Sequence, residues 1–171
     1  DVVRAAEWRD EPTLFAAATA ASPRSPYVWW GYGRVLLQRY RADAHDPTRG
    51  DMDRLVAAKD AFERALELAN AAQKGDATIF AVVDDFVQAN IGLGWYYLYE
   101  AELDPYHDFE TPLNIFKSVV ERYPRDENAH TAYGVALIKM GRATEAEAAF
   151  RAALDLNPRY AESWHNLGVL R

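Results

Sequence analysis

Two residue pairs, Tyr133-Gly134 and Leu167-Gly168, stand 34 residues apart. A fixed period of that length restricts the chain to architectures in which one small supersecondary unit is copied and stacked. Within the period run Leu137, Gly141, Ala146, Phe150, Ala153 and Pro158, all small, apolar or helix-stopping. Each has a local reason. Gly134 and Ala146 let two helices approach closely, Gly141 suits the positive φ of a helix C-cap, and Phe150 with Ala153 offers a large and a small side chain to the neighbour. Pro158 ends the second helix at Asn157. Trp164, Leu167 and Gly168 then reopen the pattern in a copy that lacks its second helix.

Weaker copies lie upstream. Phe116, Val119 and Pro124 keep the offsets of Phe150, Ala153 and Pro158, and their partner helix carries Leu93-Gly94 and Tyr97, with about six extra residues between the two helices. Trp29, Tyr32-Gly33 and Leu36 pair with Ala58, Phe62 and Ala65 across an insertion rich in Asp, Pro and Gly over residues 41–53. Phe15, Ala18 and Pro23 repeat the offsets of a second helix alone. The expected layout is a single domain over residues 1–171. It comprises a partial repeat at 1–23, a repeat with the insertion at 24–69, one with a long first helix at 77–124, a regular one at 127–158 and a partial one at 161–171.

Ala, Leu, Glu and Arg dominate and hairpin turn signals are missing, so the class is all-α. Ser25-Pro26 and Thr111-Pro112 place an N-cap type before proline, Thr144 with Glu147 has capping-box spacing, and Asp126 and Asp76 also suit N-caps. The positions Ile79, Val83, Phe86, Asn90, Leu93 and Tyr97 keep helical spacing and predict one long helix, or two with a kink near Gly92 and Gly94. In order and period these residues resemble the tetratricopeptide repeat (TPR) family. The resemblance implies a right-handed α-α superhelix of helix-turn-helix units, a solenoid whose first helices line a concave face.

Composition narrows the function classes. The chain is 50% hydrophobic with a 13% aromatic share, which excludes disorder. No run approaches the length of a membrane-spanning helix, so direct membrane insertion of this segment is not expected. A formal charge of −7 argues against nucleic acid as a partner. Zero cysteine removes thiolate metal sites, a cysteine nucleophile and disulfides together. The opening at Asp1 rather than Met points to a processed product or a piece of a longer parent. The compartment stays open: cytoplasmic, or periplasmic if the parent carries a membrane domain.

From the resemblance, the groove positions are Tyr27, Trp30 and Arg34 on one first helix; Gln88, Ile91, Trp95 and Tyr99 on the next; Asn128, Thr131, Val135 and Ile138 on the third; and Glu162 with His165 on the last. Trp, Tyr and Arg are the types most enriched at binding hot spots. The implied function is a protein-protein interaction scaffold that binds a peptide or protein segment in that groove. Against this stands a packing role for Trp30 and Trp95. Trp29, Tyr32, Leu36, Leu93 and Tyr97 are read as core. Some TPR modules hold a peptide carboxylate with Lys, Asn and Arg, and here only Arg34 and Asn128 at the matching sites are polar enough to help.

No catalytic residue, metal site or cofactor is expected. His107 with Asp104, Asp108 and Glu110, and His45 with Asp46, Asp51 and Asp53, have hard-ligand types, but solvated, helix-capping loops explain them. Asp84 and Asp85 are adjacent on a helix and point about 100° apart, so they do not share one site. His130, at the large-aromatic position of its repeat, is read as packing. Two alternatives remain. One is the non-catalytic tail of a membrane-bound glycosyltransferase-like protein, suggested by Trp8-Arg9-Asp10. The other is a self-assembling module, a homo-oligomer stacked through open repeat ends.

Overall fold

The computed structural model describes residues 11–43, 49–73, 79–103, 106 and 108–170. Among them are eight α-helices and no strand: α1 (Glu11–Ala21), α2 (Pro26–Asp43), α3 (Arg49–Gln73), α4 (Ile79–Leu103), α5 (Glu110–Arg122), α6 (Glu127–Lys139), α7 (Ala143–Leu156) and α8 (Ala161–Val169). The all-α helix-turn-helix fold expected from the period is the one observed. None of these helices is long and apolar enough to cross a membrane. The chain divides into two compact units, residues 1–92 and 93–171, and the division falls inside α4.

In both units the same contact joins the helices. A β-carbon built on Gly134 would lie 2.6 Å from the Phe150 ring, one on Gly33 would lie 2.8 Å from Phe62, and one on Gly94 would lie 2.5 Å from Phe116. Only a residue without a side chain lets the first helix settle onto the ring of its own second helix. The following repeat supplies a second such position: Gly31 lies against Phe15, and Gly92 against Phe62. Phe62, Phe116 and Phe150 are at most 1% exposed. Around them Ala58, Ala65, Ala146 and Ala153 are fully buried, because small side chains let helices pack closely beside a large one.

Helix ends are set by recurring hydrogen bonds. The Trp29 indole N–H donates to the Pro23 carbonyl at 3.0 Å, and the Trp164 indole does the same to Pro158 at 2.9 Å. His130 Nε2 lies 3.0 Å from the Pro124 carbonyl. A carbonyl only accepts, so Nε2 carries the hydrogen. Each ring reaches back six residues to the proline that ended the preceding helix, which fixes the angle between one repeat and the next. His130 is therefore a packing and tethering residue. At the turn between α6 and α7, Gly141 has φ of +72°. Its N–H bonds Ile138 O while that of Arg142 bonds Leu137 O, the paired pattern of a Schellman motif.

Several local expectations are corrected. Residues 41–43 and 49–53 lengthen α2 and α3 instead of forming a loop, and residues 44–48 lie outside those described. Residues 79–103 form one continuous helix, α4. Thr111 is not the N-cap of α5: the Asp108 carboxylate accepts from the Glu110 and Thr111 N–H groups and from the Thr111 hydroxyl. Those bonds hold the Asp108 pKa below the ordinary aspartate value. The Thr144 capping box is absent, and Arg142 instead forms a two-point pair with Glu145 at 2.7 and 2.6 Å. Asp126 does cap α6, accepting from Ala129 N at 2.8 Å, whereas Asp76 lies outside the described residues. Leu36 is buried as expected, but Trp29, Tyr32, Leu93 and Tyr97 are only half-buried, and Tyr96 takes the buried place in α4.

Gly134→Ala is expected to destabilise the fold by about 1–3 kcal/mol, because the Phe150 ring it would strike is enclosed. Gly168→Ala is the control: nothing lies within 4 Å of a β-carbon there. That change should leave stability unaltered or raise it by up to about 1 kcal/mol through helix propensity. Urea denaturation of both variants checks the contrast.

Candidate interaction face

In the first unit the face is built on α2. Pro26 starts that helix, and Tyr27, Trp30 and Arg34 follow at spacings of three and four, which places them one above another. The Tyr27 and Trp30 rings are 5.6 Å apart and tilted by 48°. The Arg34 guanidinium lies 5.7 Å from the centre of the Trp30 ring and donates to Gln38 Oε1 at 3.1 Å. Tyr27 is 56% exposed, while Trp30 and Arg34 are half-buried. The result is a ladder of flat apolar surface edged by one cation. Gln88, on α4 in the same unit, is half-buried.

Ile91 does not belong to that face. It is 6% exposed, since the segment of α4 that carries Gly92 is drawn onto Phe62. Asp85, also on α4, has its pKa raised, first by burial and then by the neighbouring Asp84 charge.

In the second unit Trp95 stacks on Tyr99 with ring centroids 6.1 Å apart, and its edge meets Phe116 at 5.6 Å. Trp95 is thus fixed to a core ring. Val135 and Ile138 are half-buried on α6. Thr131 is corrected from groove to core. It is 2% exposed, its hydroxyl lies 2.6 Å from that of Ser163 on α8, and it also donates to the Glu127 carbonyl. His165, at the equivalent place in α8, is exposed.

A polar network unforeseen in the sequence occupies the start of α6. The Tyr160 hydroxyl donates to Asn128 Oδ1, Glu162 lies 3.4 Å from the same hydroxyl, and Asn157 donates to Glu127 at 3.2 Å. Asn128 is therefore held by its own chain. Its signal in the sequence was the spacing of 32 residues between Asn128 and Tyr160, which also separates Thr131 from Ser163. Burial, then the Glu162 and Glu127 charges, push the Tyr160 phenol up to about 12.

Among the described residues no group of three or more His, Asp or Glu side chains is placed to hold a metal. Asp108 is engaged at the start of α5. His45, Asp46, Asp104 and His107 lie outside the described residues, as does Trp8-Arg9-Asp10, and the side chain of Asp51 is likewise not described. The chemistry of the described faces is apolar contact, cation–π attraction and hydrogen bonding.

Stacked helix pairs joined by a phenylalanine against glycine define a helical repeat protein. Residues 107–168 match the family model of the tetratricopeptide repeat. It is 27% identical over 137 residues to the peroxisomal targeting signal receptor of Eremothecium gossypii, an alignment that covers 80% of this chain and 21% of the relative. The crystal structure of yeast Tom70 superposes with a TM-score of 0.61 at 19% identity, over 92% of this chain and 28% of that one. The chain thus spans about a fifth of the curated relative and little more than a quarter of the solved chain.

Titration of tyrosinate absorbance should resolve one phenol with a midpoint near 12, the value to which Tyr160 is raised. The raised pKa sets the sign of the pH dependence. The stabilising contribution is complete below the unfolded tyrosine value of about 10, and it is lost as pH rises through the folded value of about 12. Glu162→Gln should lower the midpoint. A Tyr160→Phe protein that still shows the late-titrating phenol would refute the assignment.

Proposed function

We propose that this chain is a protein-interaction module with no chemistry of its own, taking a peptide or protein segment on the first-helix faces of its repeats. The observation that carries this is the α2 ladder, where Tyr27 stays 56% exposed on Trp30 beneath the Arg34 guanidinium. Tyr, Trp and Arg give a partner large contact area with little side-chain entropy to lose. The fold supports the reading, since stacked repeats present helix faces that their own cores do not use. A relative named as a receptor for a targeting signal points the same way. Trp95, Tyr99, Val135 and Ile138 form the corresponding face of the second unit, with His165 at its margin, and Gln88 belongs to the face of the first unit.

Affinity capture from a lysate of the source cell, read by mass spectrometry, tests the proposal with two variants. Tyr27→Ala/Trp30→Ala should keep its thermal melt within a few degrees and weaken capture of the partner by about tenfold or more, as for a hot-spot pair. Trp95→Ala, which loses the contact with Phe116, should instead lower the melting temperature. Undiminished capture by the folded Tyr27→Ala/Trp30→Ala protein would overturn the assignment of α2 as the binding face.

A further inference from the structure

Charge is spread unevenly along the chain. Asp and Glu number 26 in 171 residues, yet none occurs from Pro12 to Ala42, where the charged side chains are Arg24, Arg34, Arg39 and Arg41. Nearly all of α1 and α2 is therefore cationic inside a chain whose formal charge is −7. The neighbouring helix α3 does carry acids, and two of them, Glu63 and Glu67, pair with its own Lys59 and Arg64.

Two of the arginines fall in register with the aromatic ladder. Tyr27, Trp30, Arg34, Gln38 and Arg41 follow at steps of three and four, so they share one stripe of α2. The first half of the stripe is aromatic and the second cationic, over about 21 Å from Tyr27 to Arg41 at 1.5 Å per residue. Tyr27, Gln38 and Arg41 are exposed, and Trp30 and Arg34 are half-buried. Arg34 is preset: its guanidinium lies over the Trp30 ring and its Nη1 donates to Gln38. Held in that way, it meets a carboxylate with little further loss of side-chain freedom. Arg41, in the last turn, also suits the negative end of the helix dipole, but Arg34 lies more than two turns before that end, where the dipole does not explain it.

Resting on the reading of α2 as a binding face, we infer that the segment it takes is acidic: an internal stretch of a partner protein, with an apolar or aromatic side chain seated on Tyr27 and Trp30 and Asp or Glu side chains reaching Arg34 and Arg41. Six or seven extended residues at about 3.3 Å each span the stripe. Charge complementarity selects this occupant. The two rings alone would accept any apolar segment, whereas the arginines add charge-assisted bonds to one that carries carboxylates and repel one that carries Lys or Arg. The carboxylates are side chains and not a chain terminus, because the two cations stand in line about 10 Å apart along one helix, too far to close on the two oxygens of one group. A nucleic acid strand is also an anion, but its charge continues at every residue, and beyond this stretch the chain is more negative than its total of −7. A short acidic segment meets the arginines alone.

A phage-displayed library of random peptides, each fused through its C-terminus so that no terminal carboxylate is present, tests this with the 171-residue chain as bait. Peptides recovered on wild type and lost on Tyr27→Ala/Trp30→Ala report the α2 face. They should be enriched in Asp and Glu beside an aromatic or large apolar residue. The strongest of them, synthesised with an amidated C-terminus, should bind wild type about tenfold more tightly than it binds Arg34→Gln/Arg41→Gln. Its affinity should also fall as salt rises from about 50 to 200 mM. Arg41→Glu, which leaves the Arg34 contact with Trp30 in place, should weaken binding with an unaltered melt. Peptides that depend on Tyr27 and Trp30 but carry no excess of Asp and Glu, or that bind the arginine variants as they bind wild type, overturn the acidic assignment and leave α2 as the binding face. Recovery of no peptide that depends on Tyr27 and Trp30 overturns both. Displacement of the peptide by oligodeoxythymidylate at a concentration below the peptide's own Kd would assign the face to nucleic acid and overturn the inference.

Discussion

A phenylalanine ring lying directly on a glycine is the contact on which the remaining structure depends. With Phe62, Phe116 and Phe150 enclosed and Gly33, Gly94 and Gly134 opposite them, each first helix is held at a distance that no residue with a side chain permits. Glycine inside a helix costs about 1 kcal/mol relative to alanine, so its recurrence at these points reflects packing and not helix formation. The ring recovers that cost by burial, worth roughly 1.5–3 kcal/mol for a fully enclosed aromatic. Because Phe62 also meets Gly92, the same residue joins neighbouring repeats.

Helix length around this contact is free, which explains why the repeats differ so widely yet share a core. The pair α6 and α7 separates Gly134 from Phe150 by 16 residues, α4 and α5 add six, and α2 and α3 add 13. In the last case the additions at 41–43 and 49–53 continue the two helices beyond the core contact. Direction, by contrast, is fixed. Trp29, His130 and Trp164 each hold the carbonyl of the proline six residues earlier, so the turn between repeats is tied at the same point whichever ring is used. Histidine substitutes for tryptophan there because either ring supplies one N–H at the required reach.

The sequence made legible what depends on local spacing: the period, the glycine and phenylalanine positions, the prolines, and the Asp126 cap. It concealed what depends on a neighbouring repeat. Ile91 and Thr131 occupy outward positions on their own helices, yet one is drawn into the Phe62 contact region and the other meets Ser163 of α8. Asp108 displaced Thr111 as the cap because a carboxylate two or three residues before the free N–H groups accepts from both at once, which a proline-adjacent threonine hydroxyl does not. Asn128 looked available for a ligand until Tyr160, 32 residues later, supplied a donor to it.

These internal claims bear on where recognition can be built. On α6, Asn128 and Thr131 are engaged by Tyr160 and Ser163, so a partner there would have to break contacts that join α6 to α8. Trp95 is likewise bound to the core through Phe116. On α2 the division of labour is cleaner: Gly31 and Gly33 lie against Phe15 and Phe62, while the Tyr27 and Trp30 rings meet each other and the Arg34 guanidinium lies over Trp30. Substitutions on that ladder alter surface chemistry with little effect on the contact that holds the repeat together. On the function proposed above, α2 is therefore the helix on which binding chemistry can vary with least disturbance of the glycine–phenylalanine contacts.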